Sequence, residues 1–321
     1  MKGQWRRGWQ IAAMLLATAA FGAADVNVPA SRATMPPPGA INYVEGQVSI
    51  NGQNLNRTSA GSTVLGPNQV IETGQGYAEV LLTPGAFLRV GHNSEVRLIT
   101  AGLADTKLAV IHGSAMLEAA QIVKGTNLSV QMDGATAQIE KKGLYDFDAN
   151  QQAVKVLDGK AQVSENDRST TLKKGNQVLL ASDQALKKHD FSVKTTENDP
   201  LYVWSKVRSE DEAAANFNAA NTIAAYGGWY GPGWYWDPYW SFYAFLPGSG
   251  LLYSPFGWGF YSPGFVYAAP YYGYAGRGFL GHGHWHSGTL ARGFHGGAFH
   301  GGMSGVHAAG GFHGGFHGGR R

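Results

Sequence analysis

From Thr73 to Leu98 the chain alternates apolar and polar positions with the two-residue period of a β-strand. Ala78, Val80 and Leu82 fall on one side, and Tyr77, Glu79 and Leu81 on the other. Leu88 and Val90 resume the pattern after Pro84-Gly85, with Arg89 between them. Val96 and Leu98 repeat it beside Glu95 and Arg97. Proline presets the backbone angle at the first corner of a turn, and glycine accepts the positive φ needed at the second. The pattern predicts three antiparallel strands with one apolar face buried. The other face, with Glu79, Arg89, Glu95 and Arg97, is expected in water.

Similar signals run from Ala40 to about Lys194. Asn51-Gly52 lies between GQVSI and QNL, and Asp158-Gly159 lies between AVKVL and KAQV. Both dipeptides favour the tight turn that joins twisted strands, so each predicts a hairpin. His112-Gly113 and Asp133-Gly134 mark further breaks. Between the breaks stand more than a dozen short strands and no helix. A span of roughly 150 residues is long enough to bury a core. The predicted fold is all-β over 40–195: an antiparallel β-sandwich or roll, with a short β-solenoid as the alternative. GYAEVLLTPGAFLRVG and GATAQIEKKGLYDFDA share a strand-turn-strand form, which reads as common hairpin chemistry rather than duplication.

One C-terminal helix is predicted over 199–225. Asp199 can cap it and Pro200 suits its first position. Leu201, Trp204, Val207 and Arg208 fall on one side at helical spacing. The expected role is a bracket that packs Trp204 on the β domain.

Composition divides the rest. Residues 1–24 have the three parts of a secretory signal: Lys2, Arg6 and Arg7, an apolar run from Ile11 to Phe21, and small residues at Gly22-Ala23-Ala24. The run is short for a membrane span, which needs about 20 residues, so cleavage and an extracytoplasmic mature chain are expected. Residues 25–39 hold the Pro36-Pro37-Pro38 run and read as an extended linker. From Tyr226 onward lie 27 of the 46 glycines, with Asp237 as the one acidic residue. Residues 226–280 are rich in aromatics and glycine. Glycine and proline recur there too often for a long helix or a central strand, so irregular packing on the β domain, self-association or envelope association is expected. Residues 281–321 form a low-complexity tail with eight of the eleven histidines, predicted to be disordered.

Charge and chemistry narrow the function. Net charge is +3, and no basic face is concentrated enough for nucleic acid. Cysteine is absent, which excludes disulfides, thiolate metal sites and cysteine nucleophiles. Glu79, Glu95 and Glu140 read as solvated. So do Asp146 and Asp148, since two carboxylates fall short of the oxygen set calcium prefers. His92, His112 and His189 have no partner recognisable by spacing, and Ser94 and Ser114 lack a nucleophile elbow. No enzyme and no required cofactor are implied. Imidazoles at His282, His284 and His286 offer weak, exchangeable capture of zinc, nickel or copper.

The pattern at Gly46-Gln47-Val48, then NQVIETGQGYAEVLLTPGAFLRVGHNSEVRL, then VLDGKAQV with KKGNQVLL, resembles the FecR domain over about half the chain. The resemblance implies an extracytoplasmic β domain of bacterial envelopes, which in well-known members relays a signal to a sigma factor. Those members have a cytoplasmic segment and a membrane span before the domain, whereas a leader stands here. The leading expectation is therefore a non-enzymatic binding or scaffold protein of the periplasm or outer envelope, with an envelope protein or polysaccharide as partner. Signal relay and metal capture by the tail are the alternatives. On the metal-capture alternative, calorimetric titration with zinc or nickel gives binding for the full chain and none for a chain cut before Gly281.

Overall fold

The computed structural model describes residues 35–268, apart from 181–185, 228 and 230. They belong to one unit of the chain, and the second unit, His282–Arg321, lies outside the described residues. The expected signal sequence over residues 1–24, most of the expected linker, residues 269–280 and the metal candidates His282, His284 and His286 lie outside them too.

The strands in chain order are β1 (Ile41–Ile50), β2 (Gln53–Asn54), β3 (Val70–Leu81), β4 (Ala86–Val90), β5 (Glu95–Ala101), β6 (Asp105–His112), β7 (Ser114–Ala119) and β8 (Asn127–Met132). There follow β9 (Ala135–Ile139), β10 (Gly143–Asp148), β11 (Ala153–Asp158), β12 (Lys160–Glu165), β13 (Arg168–Lys173), β14 (Asn176–Leu179) and β15 (Lys188–Asp190). These fifteen make one nearly closed sheet, antiparallel except where β6 runs beside β8.

The long strand β3 is its seam. β1 pairs along one edge of β3, while the other edge is divided between β5, at Val70–Glu72, and β4, at Ala78–Leu81. Two wings spread from this seam, β5-β6-β8-β9-β12-β13 and β4-β7-β10-β11-β14-β15. They share one core: Leu88, Leu117, Phe147 and Val156 of one wing are buried in a cluster with Leu98, Val110, Val130 and Val163 of the other. The chain alternates between wings, crossing at residues 91–94, His112-Gly113, residues 120–126, residues 140–142, Asp158-Gly159 and Lys174-Gly175.

That alternation corrects two readings of the turns. Asn51-Gly52 closes a hairpin, with φ of 48° and 80° at its corners. Asp158-Gly159 does not. β11 pairs with β10 and β14, and β12 pairs with β9 and β13. The corner bends around Tyr145, whose hydroxyl donates to the Lys141 carbonyl and accepts from the Lys160 N–H at 3.1 Å. Gly159 has φ +97°, and a Cβ there would lie 2.4 Å from that hydroxyl, so only glycine fits. The sequence echo also dissolves, because β3 and β4 pair whereas β9 and β10 lie in different wings.

The second face of β3 and β4 is not wet. Every residue from Tyr77 to Val90 is buried, including Glu79 and Arg89 at 0% exposure. The cause is α1 (Pro200–Tyr226), which lies across this face with Asp199 capping Leu201 and Tyr202 at 2.8 and 3.2 Å. Its buried side is mostly polar or small: Ser205, Arg208, Ser209, Glu212 and Asn216, with Leu201, Ala215 and Ala219. Val207, expected to face inward, is 49% exposed. The helix is thus held by polar contacts that an apolar periodicity does not reveal.

The aromatic region supplies the rest of the cover as two hairpins, β16 (Gly233–Asp237) with β17 (Phe242–Leu246), and β18 (Leu251–Tyr253) with β19 (Gly259–Tyr261), then α2 (Pro263–Ala268). Two-stranded ribbons tolerate flanking glycine and proline that a central strand would not. Trp234, Phe245 and Phe260 bury against Leu81 and Phe87, with Phe87 and Trp234 ring centroids 5.2 Å apart.

Two asparagines substitute for missing strand neighbours. A β-bulge between Ile41 and Tyr43 turns Asn42 toward the hairpins. Its amide accepts from the Tyr243 N–H at 2.8 Å and donates to the Tyr243 carbonyl at 3.1 Å. Asn216 does the same for Tyr261, at 2.7 and 3.0 Å, and also donates to the Phe245 carbonyl at 2.7 Å. A chain cut after Ala225 loses these partners and the aromatic cover. It is expected to melt at lower temperature than a chain ending at Ala268 and to bind a hydrophobic dye such as ANS that the longer chain does not.

Candidate functional site

Five charged side chains meet beneath α1, all nearly or wholly removed from water. Register places Glu79 of β3 directly opposite Arg89 of β4, and Glu118 of β7 stands opposite Phe87, two residues along. Such same-face neighbours are within reach of long side chains. Arg89 donates to Glu79 through Nε at 2.8 Å and to Glu118 through Nη1. From above, Arg208 of α1 donates through Nη2 to Glu79 at 2.9 Å and to Glu212, one turn on, at 3.2 Å. Its Nη1 reaches Asp211 at 3.1 Å. Ser209 donates to Glu118 at 2.8 Å, and Asn42 donates to Glu79 and Glu212 at 3.0 and 2.7 Å. The Arg208 guanidinium lies between the rings of Tyr43 and Phe242, 4.1 and 4.5 Å from their centroids.

Three glutamates, with Asp211 at the edge, face two arginines, so acidic groups outnumber basic ones. Burial raises all three carboxyls, and the arginines counter it unequally. Glu79 is brought down to about 2 by Arg208 and Arg89, against the opposing effect of burial. Glu212 is pushed well up by burial and by the charge of Glu79. Glu79 is thus the carboxyl whose charged form the arginines favour, and Glu212 the one whose charged form burial and Glu79 oppose.

Beside this cluster an open groove of about 460 Å³ runs between α1 and the start of β1. Trp204 stacks on Tyr77 at 4.7 Å between centroids, and Tyr43 lies 6.3 Å from Trp204. The Trp204 indole N–H donates to Glu45 at 3.0 Å. Val203 and Val207, about half exposed, form the helical wall, and Asp211 with Arg208 closes one end. The groove offers flat apolar faces, exposed aliphatic groups and two carboxylates.

Of the residues singled out from the sequence, Glu79 belongs to the buried cluster, so its expected solvation is overturned. Glu95 is partly buried and Glu140 is exposed. Asp146 is also buried, paired with Lys155 at 3.2 Å, and burial raises its carboxyl to about 6. Asp148 is half-buried and caps the N–H of Gln151 at 2.9 Å. His92 is exposed with its ring 4.0 Å from Tyr77. His112 and His189 are exposed. Ser94 accepts from the Ser114 N–H at 2.9 Å and donates to the His92 carbonyl at 2.8 Å, a turn-fixing arrangement. No group of three or more His, Cys, Asp or Glu able to hold a metal occurs among the described residues. Sequence reading missed Arg89, Glu118, Glu212 and Asn42. For Arg89 and Glu118 the signal was a charged residue inside a strand whose neighbours on both faces are apolar, as in AFLRV and SAMLEA; Glu212 and Asn42 carried none.

Comparison with known proteins bears on the same region. Residues 69–162 match the FecR protein family, so the chain carries a FecR domain there. The match includes Glu79, Arg89 and Glu118, while Arg208 and Glu212 lie beyond it. Two crystal structures, each of a proposed anti-sigma factor from Parabacteroides distasonis, are similar at 17% identity. One has a TM-score of 0.36 and the match covers 41% of this chain and 64% of that one; the other has 0.34, 39% and 61%. The match therefore spans less than two thirds of either chain. No curated protein matches. Among the described residues no helix is long and apolar enough to cross a membrane.

Glu79→Gln leaves guanidinium charge unpaired in the interior and is expected to cost about 3–5 kcal/mol in urea unfolding at neutral pH. Glu212→Gln removes the carboxyl whose charged form burial and Glu79 oppose, and is expected to cost less than about 1 kcal/mol. The pH profiles differ in sign. The lowered Glu79 carboxyl contributes stability that is present above about 4.5 and lost as pH falls toward 2. The raised Glu212 carboxyl contributes stability lost as pH rises through its folded value, so Glu212→Gln is expected to flatten the alkaline limb only.

Proposed function

We propose that residues 35–268 form a non-enzymatic recognition unit of the bacterial envelope, with the FecR domain as scaffold and the Trp204 groove as contact surface. The observation that carries this reading is the pairing of an open aromatic groove with a helix tied to the sheet by buried ion pairs. The carboxyls with the strongest pKa displacements in the cluster are enclosed and committed to arginine, asparagine and serine partners. Reactive geometry would need such groups to face a cavity. The groove wall is built for contact instead: stacked rings, exposed valines and the carboxylates of Glu45 and Asp211. It suits a peptide segment with an apolar side chain beside a cationic one. In the envelope, an outer-membrane or periplasmic protein presents such a segment.

The FecR match also favours a second reading, relay of a signal to a sigma factor. A topology reporter fused at Met1 separates the two, since relay requires a terminus kept on the cytoplasmic side. Capture of zinc, nickel or copper by His282, His284 and His286 is a further, independent proposal for the tail.

A photo-crosslinking residue at Val207, in envelope fractions of the producing cell, is expected to give a discrete adduct. Trp204→Ala is expected to reduce that adduct at least about tenfold, the loss of one aromatic contact, at a temperature where circular dichroism shows the variant folded. An adduct indifferent to Trp204→Ala rejects the groove as the contact surface.

A further inference from the structure

A second opening lies where two wing crossings run side by side. Residues 120–126 carry the chain from β7 to β8, and residues 140–142 carry it from β9 to β10. Together with Leu252 of β18 they line an open cleft of about 660 Å³. That volume is within the range of small-ligand sites.

The charge of this cleft is one-sided. Lys124, Lys141 and Lys142 are exposed on its rim, and none makes an ion pair among the described residues. The one carboxylate lining it, Glu140, is already held by Lys160 at 2.6 Å. Three uncompensated cations on two loops concentrate positive potential where low-dielectric walls focus it. The floor is mixed. Ile139 and Leu252 are apolar, and Gln138, whose Nε2 donates to the Leu128 carbonyl at 3.1 Å, keeps its amide oxygen for another partner.

The loops are also fixed in place. The Lys141 carbonyl accepts from the Tyr145 hydroxyl, and the Glu140 and Lys141 N–H groups both donate to the Lys160 carbonyl, at 3.0 and 3.3 Å. The Thr126 N–H donates to the Val123 carbonyl at 3.0 Å, and the Ala120 N–H to the Gly85 carbonyl at 2.8 Å. Lysine backbones held this way present their ammonium groups from fixed points, which lowers the ordering cost of binding an anion.

We infer that this cleft binds an anionic sugar, a carboxylate- or phosphate-bearing saccharide unit of about one or two rings. The lysines take the charge, the glutamine amide takes hydroxyls, and the aliphatic floor takes the apolar face of the ring. The site is separate from the Trp204 groove and does not depend on its function.

The test is calorimetry on the full chain with four probes: glucose 6-phosphate, digalacturonate, inorganic phosphate and neutral maltose. Binding of either anionic sugar, with maltose silent, is the expected result, and the stronger of the two identifies the anion. Each of Lys124→Gln, Lys141→Gln and Lys142→Gln is expected to weaken it about tenfold, the value of one charged hydrogen bond. Leu252→Ser is expected to weaken the sugars while leaving inorganic phosphate unchanged. A control with Lys173, Lys187 and Lys188 changed to glutamine keeps net charge effects in view and is expected to leave affinity intact. Silence with both sugars, equal binding of maltose, or equal loss in the control overturns the proposal. Binding of inorganic phosphate as tight as that of the sugars overturns the assignment of a ring-binding floor.

Discussion

The fold depends on one contact between a helix and a sheet: Arg208 set between two rings and reaching Glu79 beneath it. Buried ion pairs seldom add much net stability, because removing both charges from water costs about what their attraction returns. Their effect is directional. Once Glu79 and Glu118 lie on the outer face of the sheet, that face cannot be covered by an ordinary apolar helix. It requires a cation at one position and donors around it. Arg208, Ser209 and Asn42 meet that requirement together, and their positions fix the register of α1 on the strands. Sliding the helix by one turn would strand both glutamates.

The same requirement organises the segment after α1. With the helix fixed, Asn216 is presented at one point, and Asn42 at another, each offering an acceptor and a donor spaced like a peptide group. The aromatic hairpins, which have too few strands to stabilise themselves, complete their hydrogen bonding on these two amides. Their rings then close over Leu81 and Phe87. The FecR-matched segment and the glycine-rich segment are therefore not a domain with an appendage. Residues through at least Tyr261 complete one body, and Leu252 even forms part of a cleft with the FecR domain.

Much of the fold was legible in the sequence. Period-two patterning located most strands, and Asn51-Gly52 and Pro84-Gly85 marked real turns. Asp199-Pro200 marked the true start of the helix. The reading failed where a signal depends on distant residues. Asp158-Gly159 looks like a hairpin because the dipeptide is local, whereas the packing of Tyr145 that makes it a crossing is not. Glu79 and Arg89 look solvated because alternation assumes one wet face, and only the helix more than a hundred residues later removes the water. The polar inner face of α1 hides for the same reason: Ser, Arg, Glu and Asn at helical spacing resemble a surface until their partners on the sheet are known. Of the groove, Trp204 was recognised as a packing residue, but Tyr43, Tyr77 and Glu45 come from strands whose proximity is set by the bulged β1–β3 pairing.

The repeated crossing between wings governs how such a chain can form. No contiguous piece of sequence owns a wing, so neither half can collapse first and wait for the other. Pairings such as β12 with β9, or β14 with β11, close only after intervening strands have been laid in the opposite wing. High contact order of this kind slows folding, because loop closure must precede its reward. The anchors that α1 and the hairpins dock on exist only on an assembled sheet. Until they dock, the acidic and basic groups of β3, β4 and β7 stay hydrated, which keeps the unfinished sheet from exposing a uniformly greasy surface to other chains.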